Sequence, residues 1–403
     1  MAGKDNGAGA ERGAERGAHG HTGLPYDTVA LVLQGGGALG SYQAGVYEGL
    51  VDAGIQPNWI AGISIGALNT ALIAGNPPET RMQKLREFWE TICRPALPLP
   101  PNEYMQALVE SGGAHARRLI SGFEAWRAIS QGQRDFFVPR GLLPWLGGKQ
   151  PVGKTSFYDT GQLKLTLERL VDFDRINKGP IRVSVGAVNV RTGNFVYFDN
   201  TVGPTRHALK PEHFMASGAL PPAFPAIEID GEFYWDGGLV SNTPLGHVLA
   251  AQPRRNTLTF QVDLWAARGP LPENVYDVQS RQKDILYSSR TRTITDFVAR
   301  DQHYRHILRE VLKQIPPEQR ASDPWCRQAQ ELACNRQYAV IHLIYKSKEW
   351  EGLSKDYEFN PRSMNEHWST GLHDIRKTLA HESWLKLPPE GVEFVTHDAH
   401  RLA

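Results

Sequence analysis

The chain has 403 residues, 41% of them hydrophobic and 22% charged, which is enough apolar material for one large core plus an appendage. Its formal net charge of +1 excludes a global field of the kind that draws nucleic acid. Cys93, Cys326 and Cys334 are too few for a disulfide framework and read as thiols of a reducing compartment, so a cytoplasmic protein is expected.

Residues 1–26 are rich in Gly, Ala and charge, with an echo in Gly13-Ala14-Glu15-Arg16-Gly17-Ala18. They lack an apolar h-region, so a disordered tail is expected rather than a secretory signal. Nowhere does the chain approach 18 consecutive apolar residues, so any contact with lipid is expected to be peripheral. Thr28 to Leu33 is a nearly continuous apolar run and predicts a strand buried on both faces. The glycine run Gly35-Gly36-Gly37-Ala38-Leu39-Gly40 follows. Tyr42 to Val51 then has helical spacing, with Gly54 as the stop. Trp59 to Ile63 predicts a second strand, Ser64 a sharp turn, and the Ala/Leu-rich stretch after it a second helix. This order opens a parallel α/β sheet.

Residues 93–155 break the pattern with Pro-rich stretches and with Trp126, Phe136, Phe137 and Trp145 beside Arg127, Arg134 and Arg140. They read as an insertion over the sheet's edge. Ile181–Val190 and Phe195–Phe198 resume the sheet around the turn Arg191-Thr192-Gly193-Asn194. Ile227–Ile229 and Phe233–Trp235 flank Asp230-Gly231, a two-residue hairpin signal. Asn256–Trp265 predicts another strand, and residues 266–276 a linker. Residues 277–314 are helical and basic, with eight Lys/Arg against four Asp/Glu between Arg281 and Lys313. Gln337–Tyr345 predicts a strand and Pro361–His381 a helix. The expected division is a tail over 1–26, an α/β domain over 27–265 and an α-rich extension over 277–403.

Gly62-Ile63-Ser64-Ile65-Gly66 fits G-x-S-x-G. A serine on a tight strand-to-helix turn has crowded neighbours, so glycine fits best two residues to either side and the hydroxyl is thrust outward. The helix that follows points its N-terminus at the serine and favours a developing oxyanion. The glycine run permits backbone N–H groups to approach such an oxyanion closely. It also matches G-x-G-x-x-G, the dinucleotide fingerprint, which makes a nucleotide-binding oxidoreductase the rival reading. That fingerprint expects an acidic residue at the end of the next strand, where this chain has Ser64. Asp236-Gly237-Gly238 places a carboxylate on a glycine-flanked loop that follows a hairpin strand. Such an Asp can act as a general base if desolvation raises its pKa, or it can be a plain turn residue.

The ordered set G-G-G-x-x-G, G-x-S-x-G and D-G-G, with Ala216-Ser217-Gly218-Ala219-Leu220-Pro221-Pro222-Ala223-Phe224-Pro225 before the last, resembles the patatin-like phospholipase family over roughly residues 28–250. The resemblance implies a three-layer α/β fold with a mostly parallel central sheet, here carrying a mainly helical C-terminal extension like that of some bacterial members. It implies Ser64 as nucleophile and Asp236 as base. It further implies an oxyanion hole from Gly35, Gly36 and Gly37 in the loop closed by Gly40, and a phospholipase A type of lipid hydrolysis with no cofactor and no metal. The implied partner is a lipid substrate on a membrane or lipid-granule surface, and oligomeric state stays open. Leu39 departs from the Arg that many members carry there.

A Ser-His-Asp triad would need His207, His213 or His247, and His247 alone follows Asp236 in the order of an α/β-hydrolase. It falls where a helix starts and is expected to be a packed or surface residue. Cys326, Cys334 and His342 lack zinc-ligand spacing, and His303 and His306 read as a solvated helix face. A third reading is a non-catalytic scaffold that keeps the fold and binds a protein through its extension.

Overall fold

β1 (Thr28–Leu33) lies in the middle of the sheet, and its side chains alternate between two apolar layers. Val29, Leu31 and Leu33 join the larger core, and Ala30 and Val32 the smaller one. A run without polar interruptions is what a strand covered on both faces requires. The computed structural model describes residues 24–94, 117, 120, 122–141, 144, 148–201, 208–348 and 350–398. Residues 1–23 of the expected tail, Trp145 and His207 lie outside them. Tyr26, counted above with the tail, is fully buried and donates its hydroxyl to the Lys386 carbonyl at 2.7 Å.

The chain runs β1, α1 (Ser41–Asp52), β2 (Trp59–Gly62), α2 (Ile65–Ala74) and α3 (Pro78–Ile92). The small antiparallel pair β3 (Val138–Pro139) and β4 (Tyr158–Asp159) precedes α4 (Gly161–Leu170). Then come β5 (Arg182–Asn189), β6 (Phe195–Asp199), α5 (Pro211–Ser217), β7 (Ile227–Ile229), β8 (Glu232–Asp236) and β9 (Thr257–Asp263). The last part holds α6 (Val275–Tyr287), α7 (Thr291–Lys313), β10 (Tyr338–Ile344), α8 (Pro361–Leu379) and β11 (Phe394–Asp398), with shorter helices between.

Among the described residues nine strands form one sheet in the order β11-β10-β9-β1-β2-β5-β8-β7, with β6 on β5. From β11 to β5 every pairing is parallel, and β6, β7 and β8 are antiparallel. Helices on both faces complete the three-layer α/β fold. The expected hairpin forms between β7 and β8, with Asp230 and Gly231 both at positive φ, as an Asp-Gly turn of this type demands. The C-terminal region is mainly helical, and it also extends the sheet: β10 pairs along the whole of β9, and β11 pairs with β10. α8 lies on α1 so closely that a side chain at Gly45 would strike the Trp368 carbonyl. The expected helical, basic stretch over 277–314 holds two helices, parted at Ser288–Arg290.

β5 acts as a ruler for the site. Its residue Val185 pairs with Gly62 of β2, and two residues on, Ala187 pairs with Asp236 of β8. β6 pairs across both stretches, so it occupies the other edge and β2 and β8 share one. β8 therefore arrives just beyond the end of β2, about 7 Å along β5, where the chain turns into Ser64.

Candidate active site

Ser64 sits between β2 and α2 at φ 55°, a conformation that strains any residue with a side chain. Its neighbours explain the glycines. A side chain at Gly62 would strike the Gly66 carbonyl, and one at Gly66 would strike the Leu33 carbonyl. The strain is held by a side chain from α5: the Ser64 N–H donates to Ser217 Oγ at 3.0 Å. Two residues further on, the Ala219 carbonyl accepts from the Asp236 N–H at 3.0 Å. The segment 217–219 thus ties the serine and the aspartate to one short piece of chain.

Asp236 is 2% exposed. Burial pushes its carboxyl up to about 7, against the opposing pull of hydrogen bonds from the Ser64 side chain and the Gly238 N–H. The latter bond measures 2.7 Å. A carboxylate in water would be fully ionised at neutral pH, whereas this one exchanges its proton near neutrality.

The glycine loop faces the same space. Asn242 Nδ2 and Trp265 Nε1 donate to the Gly35 carbonyl at 3.0 and 2.8 Å. The Gly35 N–H is itself donated to the Asn242 carbonyl at 3.3 Å, so Gly35 cannot offer a free amide. The N–H groups of Gly36, Gly37 and Ile65 have no acceptor among the described residues. Gly37 has φ +56°, and a side chain there would strike the Asp356 carbonyl. Gly40 serves packing, since a side chain would meet Ile65 at 2.6 Å. Gly237 lies against the Gly186 carbonyl and Gly238 beside the Asp236 carboxylate.

These groups line a cavity that is open to solvent on one side. Its walls are mostly apolar, with Leu68, Phe136, Phe137, Leu163, Met215 and Phe224 from the first two-thirds of the chain. Tyr287, Asp356, Tyr357 and Phe359 come from the last third. Phe136 and Phe137 of the expected insertion are therefore cavity wall. Ser217 lies in the run Ala216–Pro225 that the sequence marks, whereas nothing in the sequence singles out Asn242, Trp265 or Asp356 for this site.

No histidine lines the cavity among the described residues. His247 stacks on Tyr197 and lies 3.5 Å from Asp199, and His213 Nδ1 accepts from the Lys210 N–H at 2.9 Å. Asp52 ends α1 and pairs with Arg376 on the surface. Among the described residues no group of His, Cys, Asp and Glu could hold a metal ion, and no helix is long and apolar enough to cross a membrane.

A strand-to-helix serine elbow facing a glycine loop and a buried aspartate, on a mostly parallel sheet, defines an α/β protein of hydrolase architecture. Residues 31–249 match the family model described as patatin-like phospholipase, and the chain belongs to that family. Residues 285–391 match a second model, described as patatin phospholipase, which spans α7, β10 and α8. The chain is 32% identical over 102 residues to patatin-like phospholipase domain-containing protein 6 of Mus musculus, and equally to that of Homo sapiens. That stretch is 25% of this chain and 7–8% of those much longer relatives. Among solved structures, VipD from Legionella pneumophila aligns over 88% of this chain and 67% of its own, at 14% identity and a TM-score of 0.36.

Proposed function

We propose that this protein hydrolyses carboxylic esters of lipids, as a phospholipase A or related lipid esterase, through a Ser64–Asp236 dyad. Asp236 accepts the Ser64 hydroxyl proton as Oγ attacks the acyl carbonyl carbon. The tetrahedral oxyanion is held by the free amides of Gly36 and Gly37, with Ile65 N–H at the start of α2. The intermediate collapses, and the alcohol leaves with the proton from Asp236. Water then gives a proton to Asp236 and attacks the acyl ester on Ser64, which releases the fatty acid and restores the hydroxyl. Membership of the family supports lipid as the substrate class, and the apolar cavity walls suit an acyl chain.

The observation that carries this reading is the buried Asp236 carboxyl, hydrogen-bonded to Ser64 and titrating at about 7 in an apolar cavity. The experiment is fatty-acid release from a mixed phospholipid extract, run beside labelling with a fluorophosphonate. Ser64→Ala is expected to lose both label and release, with turnover down about 10⁴-fold or more. A Ser64→Ala protein that still takes the label would assign the nucleophile elsewhere, and a parent protein that takes none would favour a non-catalytic scaffold.

A further inference from the structure

An ordinary surface helix turns its apolar residues inward and its charges outward. α6 does the reverse. It buries no residue fully, and Val275, Tyr276, Val278, Ile285 and Leu286 are between 49% and 73% exposed. At 100° per residue Val275, Val278, Gln279, Gln282, Ile285 and Leu286 fall within an arc of about 120°. All are exposed, and no charged side chain is among them. The charges of the helix point the other way and are engaged. Arg281 donates to the Ala266 and Ala267 carbonyls, Lys283 pairs with Asp356 at 2.5 Å, and Asp284 pairs with Lys355 at 2.6 Å. The polar face is thus consumed by the protein, and among the described residues the apolar face is left without a partner.

The position of this helix decides what that partner is. Its last residue, Tyr287, lines the cavity that holds Ser64, as does the Asp356 held by Lys283. Asn242 Nδ2 donates to the Tyr287 carbonyl at 2.9 Å, and the turn leading to Asn242 exposes Leu239 and Val240. Leu271, just before the helix, is 90% exposed. Arg290 and Arg292, just after it, are exposed cations at the edge of this apolar surface. An uncharged helical face bordered by arginines matches a bilayer interface, with acyl region and headgroup phosphates side by side. A second copy laid on the same face would stand against the cavity wall, whereas a lipid surface supplies both the apolar partner and the substrate.

We infer that the outer face of α6 seats the protein on a lipid surface. The inference deepens the acyl-hydrolase reading and rests on it for the choice of occupant. The test is sedimentation with vesicles of phosphatidylcholine alone and of phosphatidylcholine with phosphatidylglycerol. A short soluble ester is hydrolysed in parallel. The parent is expected to bind both vesicles and to stay bound to the neutral ones at about 0.5 M salt, where screening leaves an uncharged face untouched. The triple variant Val275→Glu, Val278→Glu, Ile285→Glu changes only exposed side chains. It should bind at least tenfold more weakly and cleave the soluble ester within twofold of the parent. Trp325→Glu, an equally exposed apolar residue on another helix, should bind as the parent does. The inference is overturned if the triple variant binds like the parent, if Trp325→Glu does equal damage, or if the parent binds neither vesicle. It is also overturned if the triple variant converts a dimer to a monomer with vesicle binding unchanged, since the face then belongs to a second copy. A parent that binds vesicles but leaves the soluble ester intact would remove the hydrolase reading and leave the docking face standing.

Discussion

Residues 28–265 bring to the cavity the elbow at Ser64, the glycine loop and Asp236. Residues 275–398 bring Tyr287, Asp356, Tyr357 and Phe359, together with the helix that walls them in. In the first region the residues are held by backbone geometry: a positive φ at Ser64, a positive φ at Gly37, and a ruler of strand pairings along β5. In the second they are held by side chains, through the crossed ion pairs Lys283–Asp356 and Lys355–Asp284, with both lysines within 6 Å of the Trp265 ring. Backbone geometry places reacting atoms to a fraction of an ångström, and packed side chains shape the room around them. Changes in the first region should therefore act on the bond-breaking step, and changes in the second on which substrates fit.

The largest effect is expected in the first region. Asp236→Asn keeps an acceptor for the Gly238 N–H and removes the base, so turnover should fall by about 10⁴-fold. In the parent, kcat/KM should rise tenfold per pH unit up to about 7 and then level, as the Asp236 carboxyl gives up its proton. The same shift predicts a stability effect of opposite sense. Between the ordinary carboxylate range and about 7, the folded protein holds a proton that the unfolded chain has released. Stability then falls as pH rises through that window. Asp236→Asn removes this slope, so its melting temperature should exceed the parent's at pH 8 and approach it at pH 4. A pH–rate profile that stays flat from 5 to 8 would detach Asp236 from the proton transfer.

Gly37→Ala comes next. The added methyl group meets the Asp356 carbonyl at a φ that favours glycine, so the loop must shift. Loss of one oxyanion donor costs about 10²–10³ in kcat. KM should change little, and a variant with unaltered kcat would place the oxyanion elsewhere. The smallest effect belongs to the second region. Phe359→Leu keeps an apolar wall and changes its shape, so discrimination between long and short acyl esters should move by about 10-fold. kcat on a short ester should hold within threefold. A loss of kcat on every ester would erase the contrast between the two regions.

The sequence made the first region legible because its constraints are backbone constraints. Glycines where no side chain fits, a serine between them and an Asp-Gly turn all leave fixed spacings. Asn242 and Trp265 leave none, since a single side chain reaching a distant carbonyl has no period to detect. The hydrogen bond from the Gly35 N–H to Asn242, more than 200 residues away, leaves no trace in the sequence for the same reason. β11 has no signal in the sequence, because a five-residue edge strand that includes Thr396, His397 and Asp398 shows no apolar run. The basic stretch after residue 277 shows a further limit. Periodicity gives the axis of an amphipathic helix and leaves open which side turns outward. The structure turns Arg281 and Lys283 in, towards the Ala266 carbonyl and Asp356.

The pairing of β9 with β10 has a consequence in time. As the chain leaves the ribosome, β9 is finished at Asp263, but its outer edge stays open until Ile344 has been made. The cavity wall waits longer still, for Phe359. At about 5–20 residues per second that interval is roughly 5 to 20 s. Throughout it Ser64 and Asp236 already exist on a sheet with an unpaired, wholly buried-type strand at its margin. A nascent chain stopped after residue 270 should remain inert towards a fluorophosphonate, and one released after residue 398 should react. Competence to react with the probe would then arrive only once β10 has closed the edge of β9 and Phe359 has joined the cavity wall.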